Sequence, residues 1–266
     1  MLDRFNRNIS YLRISVTDRC DLRCRYCMPA EGIEWIEHSR VLSFEEIVEV
    51  VKVGVSLGVE KIRLTGGEPL VRKGIVDLVR MIAETPGVKD LALTTNGQQL
   101  EKFAADLAKA GLQRVNVSLD TLDAEKYKHI TRGGDINKVM KGLEASRDAG
   151  LLPIKINCVV NEVTTETDKT ELREFCEKND YKLRFIRQMS LEDGTFYPVE
   201  GGEGGRCSIC NRIRLTATGE VKPCLFSGHG YNIREFGAEN AILMAIGNKP
   251  KVGEKNKVNQ FYNIGG

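Results

Sequence analysis

The chain has 266 residues, 41% hydrophobic and 29% charged, ordinary for a folded globular protein and long enough for one large α/β domain or a domain with a smaller appendage. Its 39 Lys and Arg against 37 Asp and Glu leave a formal charge of +2, so neither a broad nucleic-acid surface nor a membrane surface is expected. The most apolar run, 48–59, is interrupted by Glu49 and Lys52, no apolar signal region opens the chain, and three His argue against imidazole chemistry; a reducing cytoplasm is the default, where thiols bind metal more often than they pair.

A first strand is predicted over 12–16. Ser43 and Glu46 form a capping box, and Ile47, Val50, Val51 and Leu57 follow at helical spacing. Strands are then predicted over 61–65, 91–95, 114–118, 154–160 and 182–187, with helices near 76–84, 100–110, 138–149 and 169–178. At Gly58, Gly111 and Gly150 a glycine ends a helix about three residues before a β-branched strand, and Gly87 fits a fourth copy; glycine takes the left-handed cap without strain. Six such alternations demand parallel strands with right-handed crossovers. The fold class is therefore α/β, a partial (β/α)6 TIM-type barrel over residues 1–189. Residues 190–205, rich in Gly, Glu and Asp, read as a linker, and 206–266 as a small C-terminal extension.

Strands buried between helices should be apolar on both faces. Here one face alternates with polar residues: Arg13 with Ser15, Lys61 with Arg63 and Thr65, Thr94 with Asn96, Asn116 with Ser118, Lys155 with Asn157, and Arg184 alone. The barrel interior is then polar and basic. Burying Arg and Lys is costly unless an anion meets them, so the expected ligand is large and highly charged. The alternative is that these side chains sit at strand ends and reach solvent.

Six of the eight cysteines fall in two triads, Cys20, Cys24 and Cys27 near one end and Cys207, Cys210 and Cys224 near the other. Three thiols on a tight loop make a poor disulfide framework. They suit an iron–sulfur cluster with one iron left open. The first triad follows a predicted strand, where barrel enzymes place their chemistry. The second has a rival reading as a zinc site of three Cys with His229. Against zinc stand Arg212 and Arg214, directly after Cys210, where a structural zinc needs neither. Cys158 and Cys176 read as small core residues.

The run Cys20-Asp21-Leu22-Arg23-Cys24-Arg25-Tyr26-Cys27 resembles the signature of the radical S-adenosylmethionine superfamily, and Gly66-Gly67-Glu68-Pro69 resembles its second element. The resemblance implies a 4Fe–4S cluster that, with S-adenosylmethionine, yields a 5′-deoxyadenosyl radical. Glycines at Gly66 and Gly67 would let the backbone approach the cofactor, and Glu68 would supply negative charge.

Residues 12–20, 26–29, 61–69, 93–97, 116–120 and 184–186, the second triad with its flanks, and the final Ile264-Gly265-Gly266 together resemble the molybdenum cofactor biosynthesis protein A family of GTP 3′,8-cyclases. That resemblance implies hydrogen abstraction from C3′ of GTP and attack of the C3′ radical on C8 of guanine, with a second 4Fe–4S cluster positioning the base. By position, Lys61, Arg63 and Lys155 suit the triphosphate; Arg13, Arg212 and Arg214 suit the ribose, base or reduction step; Arg184 joins the substrate set. Tyr26, Thr94, Asn96, Ser118 and Met189 fall in the S-adenosylmethionine pocket, and Gly265 and Gly266 match a tail that reaches the active site. Implied partners are an electron donor such as flavodoxin or ferredoxin and, downstream, cyclic pyranopterin monophosphate synthase; a homodimer is compatible. The chain departs from the family in one place. Only residues 190–206 separate the last barrel strand from the second triad, where the family has several tens more.

Two rivals remain at this level. One is a radical enzyme that acts on a peptide or another nucleotide. The other is a non-catalytic iron–sulfur or zinc protein that binds RNA or senses redox state, which the balanced charge argues against.

Overall fold

Six strands, β1 (Tyr11–Ser15), β2 (Lys61–Thr65), β3 (Asp90–Thr95), β4 (Arg114–Ser118), β5 (Lys155–Val160) and β6 (Lys182–Arg187), each pair in parallel with their sequence neighbours. The computed structural model describes residues 1–256 and Ile264. Helices α1 (Phe44–Ser56), α2 (Ile75–Ala83), α3 (Leu100–Lys109), α4 (Ala124–Thr131), α5 (Ile136–Asp148) and α6 (Glu166–Lys178) run between the strands. β2, β4 and β6 have the predicted bounds, and β1, β3 and β5 differ by one residue. α4 was not expected; it is a short helix lying directly before α5.

Local chemistry explains these elements. The Ser43 hydroxyl accepts from Glu46 N–H at 3.2 Å and the Glu46 carboxylate accepts from Ser43 N–H at 2.7 Å, the reciprocal cap that starts α1. Gly58, Gly87, Gly111 and Gly150 all take left-handed backbone, at φ 97°, 94°, 97° and 78°, ending four helices and turning the chain into the next strand. The predicted apolar strand face is fully buried against the helices: Leu12, Ile14, Leu64, Leu93, Val115, Val117, Ile154 and Ile156 are all 0% exposed. Burial of each such side chain contributes about 1.5–3 kcal/mol. Cys158 and Cys176 are buried in the same core.

The segment after residue 206 continues this sheet. β7 (Arg212–Leu215) pairs in parallel with β1, matching Tyr11 to Arg212 and Arg13 to Arg214, and β8 (Glu220–Lys222) and β9 (Tyr231–Asn232) add antiparallel strands. The order is β6-β5-β4-β3-β2-β1-β7-β8-β9. α7 (Ile233–Phe236) and α8 (Ala238–Gly247) follow, and α8 buries Ala241, Ile242, Ala245 and Ile246 in the common core. Arg184 of β6 feels the charge of Arg212, far along the strand order, so the sheet curls into a partial barrel.

Residues 190–205 lie against β6. Phe185 and Glu200 exchange backbone hydrogen bonds at 3.1 Å each, and Ser190 and Thr195 exchange a second pair at 3.0 and 2.9 Å. Gly201 is left-handed at φ 76°, and a Cβ there would sit 2.4 Å from the Leu183 carbonyl oxygen. The glycines of this stretch therefore allow backbone-to-backbone packing on β6 beside Arg184.

Candidate functional site

Cys20, Cys24 and Cys27 lie on the loop that leaves β1, at its C-terminal end. The loop is seated on Gly66 and Gly67. Gly67 N–H donates to Thr17 carbonyl oxygen at 2.6 Å and Glu68 N–H to that of Arg19 at 2.8 Å. A Cβ on Gly66 would lie 2.6 Å from the Thr17 carbonyl oxygen, and one on Gly67 would lie 2.3 Å from that of Arg19. The glycines thus bring the cysteine loop onto the β2 loop.

Glu68 is 1% exposed and fully engaged. Its carboxylate accepts from Leu70 N–H at 3.0 Å, the Thr95 hydroxyl at 2.8 Å and Asn96 N–H at 2.7 Å. Burial nevertheless pushes it up to about 7. The Asn96 amide donates to Asp21 at 2.7 Å and stands 3.8 Å from the Cys20 sulfur, so Glu68 braces the cysteine loop through Asn96. The Tyr26 hydroxyl donates to Asp120 at 2.9 Å; burial, then the Asp120 charge, hold Tyr26 well above its ordinary range. Asp120, a residue that sequence reading did not select, also accepts from Val159 N–H at 2.7 Å. Thr94 and Ser118 stand on the polar face of β3 and β4.

The three thiols are unpaired and only partly exposed. Burial pushes Cys20 up to about 12 and Cys27 up to about 11, and burial, then Asp120, raise Cys24. Such thiols ionise when a metal takes their protons' place. Leu22 N–H donates toward the Cys20 sulfur at 3.4 Å, as fits a cluster ligand. The donor set, soft thiols with no carboxylate among them, fits an iron–sulfur cluster.

The second triad has a different electrostatic setting. Burial raises the Cys210 thiol, but Lys249, the Arg212 N–H, and the Arg212 and Arg214 charges more than offset it, and the net shift is downward. Lys249 is 2% exposed and donates to the carbonyl oxygens of Arg212 at 2.6 Å and Pro223 at 2.8 Å. Sequence reading missed Lys249; it lies far from the triad in sequence and only the fold joins them. The cations beside Cys210 favour its thiolate, whereas burial raises Cys207; three soft thiols are a donor set that fits a cluster. His229 is exposed and packs edge-on against Tyr231 at 6.0 Å. Among the described residues no three His, Cys, Asp or Glu side chains are spaced for one metal ion, at this triad or at the first. Met189 and Cys224 both pack on a small apolar cluster of Leu191, Leu225, Phe226 and Ile264. Gly265 and Gly266 lie outside the described residues.

Between the triads lies the basic face of the sheet. Arg63 and Arg214 are 8% and 7% exposed, and Asn116 is 0% exposed. Burial, then Arg214, hold Arg13 well below its ordinary range. Burial, then Arg184, Arg114 and Arg63, hold Lys155 down at about 8. Arg63 Nε, Arg184 Nε, Arg212 Nε, Thr94 Oγ1 and Asn157 Oδ1 are buried without a hydrogen-bond partner among the described residues. Lys61 is exposed at the start of β2, so this one basic residue reaches solvent, as the alternative reading of the charges allowed. The rest of the set is brought together. Donors crowded this closely are stable only against an acceptor-rich anion.

The family model described as "Radical SAM superfamily" matches residues 14–176. A GTP 3′,8-cyclase of Thermodesulfovibrio yellowstonii is 41% identical over 281 aligned positions, covering 88% of this chain and 87% of that protein. One of Clostridium botulinum is 39% identical and covers 100% of both chains; the alignment takes 319 positions against the 266 residues here, so this chain is the shorter. Among solved structures, Streptococcus suis SuiB bound to precursor peptide SuiA superposes with a TM-score of 0.70 at 17% identity, over 92% of this chain and 66% of that one, a likeness of fold.

Proposed function

The chain belongs to the radical SAM superfamily and to its GTP 3′,8-cyclase family, and from that premise we propose that it converts GTP to 3′,8-cyclo-7,8-dihydro-GTP, the first step of molybdenum cofactor biosynthesis. The observation that carries the substrate is the clustered basic set of Arg13, Arg63, Lys155, Arg184, Arg212 and Arg214, in which Arg63 Nε, Arg184 Nε and Arg212 Nε are buried without a hydrogen-bond partner among the described residues, as suits a polyanion. A triphosphate is one.

Cys20, Cys24 and Cys27 would hold a 4Fe–4S cluster which, with S-adenosylmethionine, supplies the hydrogen-abstracting radical. The residues around it orient the cofactor: Gly66 and Gly67 set the loop, Glu68 and Asn96 fix its position, and Tyr26, Thr94, Ser118 and Met189 line the pocket. Cys207, Cys210 and Cys224 would hold a second cluster, with Lys249 balancing its charge. Lys61, Arg63 and Lys155 bind the triphosphate. Arg214, in register with Arg13, feels the charges of Cys224 and Cys210, so Arg13, Arg212 and Arg214 lie between the nucleotide and the second cluster. Ile264 is anchored in the small apolar cluster, and Gly265 and Gly266, outside the described residues, are given a part in the site by the family resemblance alone.

An electron donor such as flavodoxin or ferredoxin is required by the chemistry, and a cyclic pyranopterin monophosphate synthase would take the product. All eight cysteines are unpaired, which suits the cytoplasm. No helix among the described residues is long and apolar enough to cross a membrane. The test is anaerobic incubation of reconstituted protein with S-adenosylmethionine, dithionite and GTP. A product isomeric with GTP, formed alongside 5′-deoxyadenosine, is the expected result.

A further inference from the structure

Tyr11 opens β1 on the same face as Arg13 and Ser15. It is matched in register with Lys61 of β2 on one side and with Arg212 of β7 on the other. The Arg63 guanidinium stands 5.4 Å from the centre of its ring and that of Arg212 stands 5.9 Å away. These are cation–π distances, so one phenol ring holds two substrate-site arginines.

The hydroxyl is buried and makes no hydrogen bond among the described residues. A phenol must donate one proton, and a buried donor without an acceptor is unfavourable. Its basic neighbours offer only donors, since neither guanidinium nor ammonium can accept. The Asp90 carboxylate, beyond Lys61 in the same row of the sheet, is held by both terminal nitrogens of Arg114. Arg63 Nε and Arg212 Nε are buried without partners as well. Three donors from three adjacent strands therefore lack an acceptor at one place. That place lies four residues before Ser15 on β1, about 13 Å toward the strand's N-terminal end, deeper than the cysteine loop.

We propose that Tyr11 is a substrate-positioning residue, whose hydroxyl donates to the polyphosphate chain of the nucleotide and whose ring holds Arg63 and Arg212 to grip it. This rests on the reading of GTP as the substrate. The Tyr11 hydroxyl takes a phosphate oxygen at the floor of the barrel, the end farthest from the first cluster. The reacting ribose and base then lie nearer the strands' C-terminal ends.

The test compares the cluster-loaded protein with its Tyr11→Phe variant, which keeps the ring and removes only the hydroxyl. Binding of GTP, of GMP and of inorganic tripolyphosphate is followed by calorimetry. The expected result is about tenfold weaker binding of GTP and tripolyphosphate, the loss of one hydrogen bond to a charged acceptor, with GMP unaffected. The KM for GTP should rise while 5′-deoxyadenosine formation without GTP stays the same. Tyr11→Leu, which also releases the two arginines, should weaken tripolyphosphate further than Tyr11→Phe. Parent-like binding of tripolyphosphate by Tyr11→Phe, or an equal loss for GMP, would overturn the role given to Tyr11. Failure of the parent protein itself to bind GTP would instead overturn the substrate reading, and the proposal with it.

Discussion

The Glu68 carboxylate accepts the Thr95 hydroxyl at 2.8 Å, tying the loop after β2 to the end of β3. Through Asn96 N–H at 2.7 Å and the Asn96 amide on Asp21, the same carboxylate reaches the cysteine loop after β1. Three strand ends thus share one buried acceptor. In Glu68→Gln an amide N–H replaces one of the acceptor oxygens and leaves a donor unmet, which costs about 1–3 kcal/mol. The urea midpoint should fall, and iron content after anaerobic reconstitution should fall with it. An unchanged midpoint would contradict this bracing.

Lys155 gives the pH dependence. Burial, then Arg184, Arg114 and Arg63, hold it at about 8, below the usual 10.5. A polyphosphate beside it restores the ammonium. Binding therefore takes up a proton between those values, and affinity falls as pH rises through that window. Calorimetry at about pH 8.5 in buffers of different ionisation enthalpy should show the uptake. Lys155→Met should show none.

Arg212 and Arg214, two and four residues after Cys210, are proposed to act on the nucleotide rather than on S-adenosylmethionine. Substituting either by Ala should lower cyclic product about a hundredfold or more, the scale of losing one preorganised donor. Formation of 5′-deoxyadenosine should be largely unchanged. Normal product yield from both variants would remove them from the site.

Ile264 is 0% exposed, packed with Leu225 and Phe226 beside Cys224. Deleting Gly265-Gly266 leaves that anchor in place. Both clusters and uncoupled S-adenosylmethionine cleavage should survive the deletion, while cyclisation is abolished. Wild-type turnover by the shortened chain would contradict a role for the tail.

A structural control comes from Asp168, 4% exposed, which accepts from Lys126 at 2.5 Å, Thr121 at 2.7 Å and the Thr165 hydroxyl at 2.6 Å. Burial would raise it, but these bonds more than offset that and hold it below the ordinary carboxylate range. Its stabilisation is present above that range and is lost as pH falls through the lowered value. Asp168→Ala should cost about 3 kcal/mol at neutral pH, and the difference from wild type should shrink on acidification. Product formed per 5′-deoxyadenosine should not change.

The parallel strands were legible because each shows two-residue alternation, and β2, β3, β4 and β5 each follow a helix closed by a left-handed glycine. The basic face was legible for the same reason, since Arg13, Arg63 and Lys155 each interrupt a strand at alternate positions. Placement of Tyr11 failed by one residue; the predicted strand began at Leu12, although Tyr11-Arg13-Ser15 continues the alternation. β7 has four residues, and its partner is β1, about two hundred positions earlier, so no local pattern announces the pairing. Lys249 and Asp120 were missed for the same reason, being joined to Cys210 and Tyr26 only by the fold. α4 is short and polar, too weakly periodic to stand out.

The central claim is that this chain cyclises GTP despite its shortened segment. Anaerobic incubation of the reconstituted protein with S-adenosylmethionine, dithionite and GTP, followed by mass analysis, tests it most directly. The account predicts a GTP-dependent product isomeric with GTP, formed together with 5′-deoxyadenosine. Formation of 5′-deoxyadenosine with GTP left untouched would contradict it.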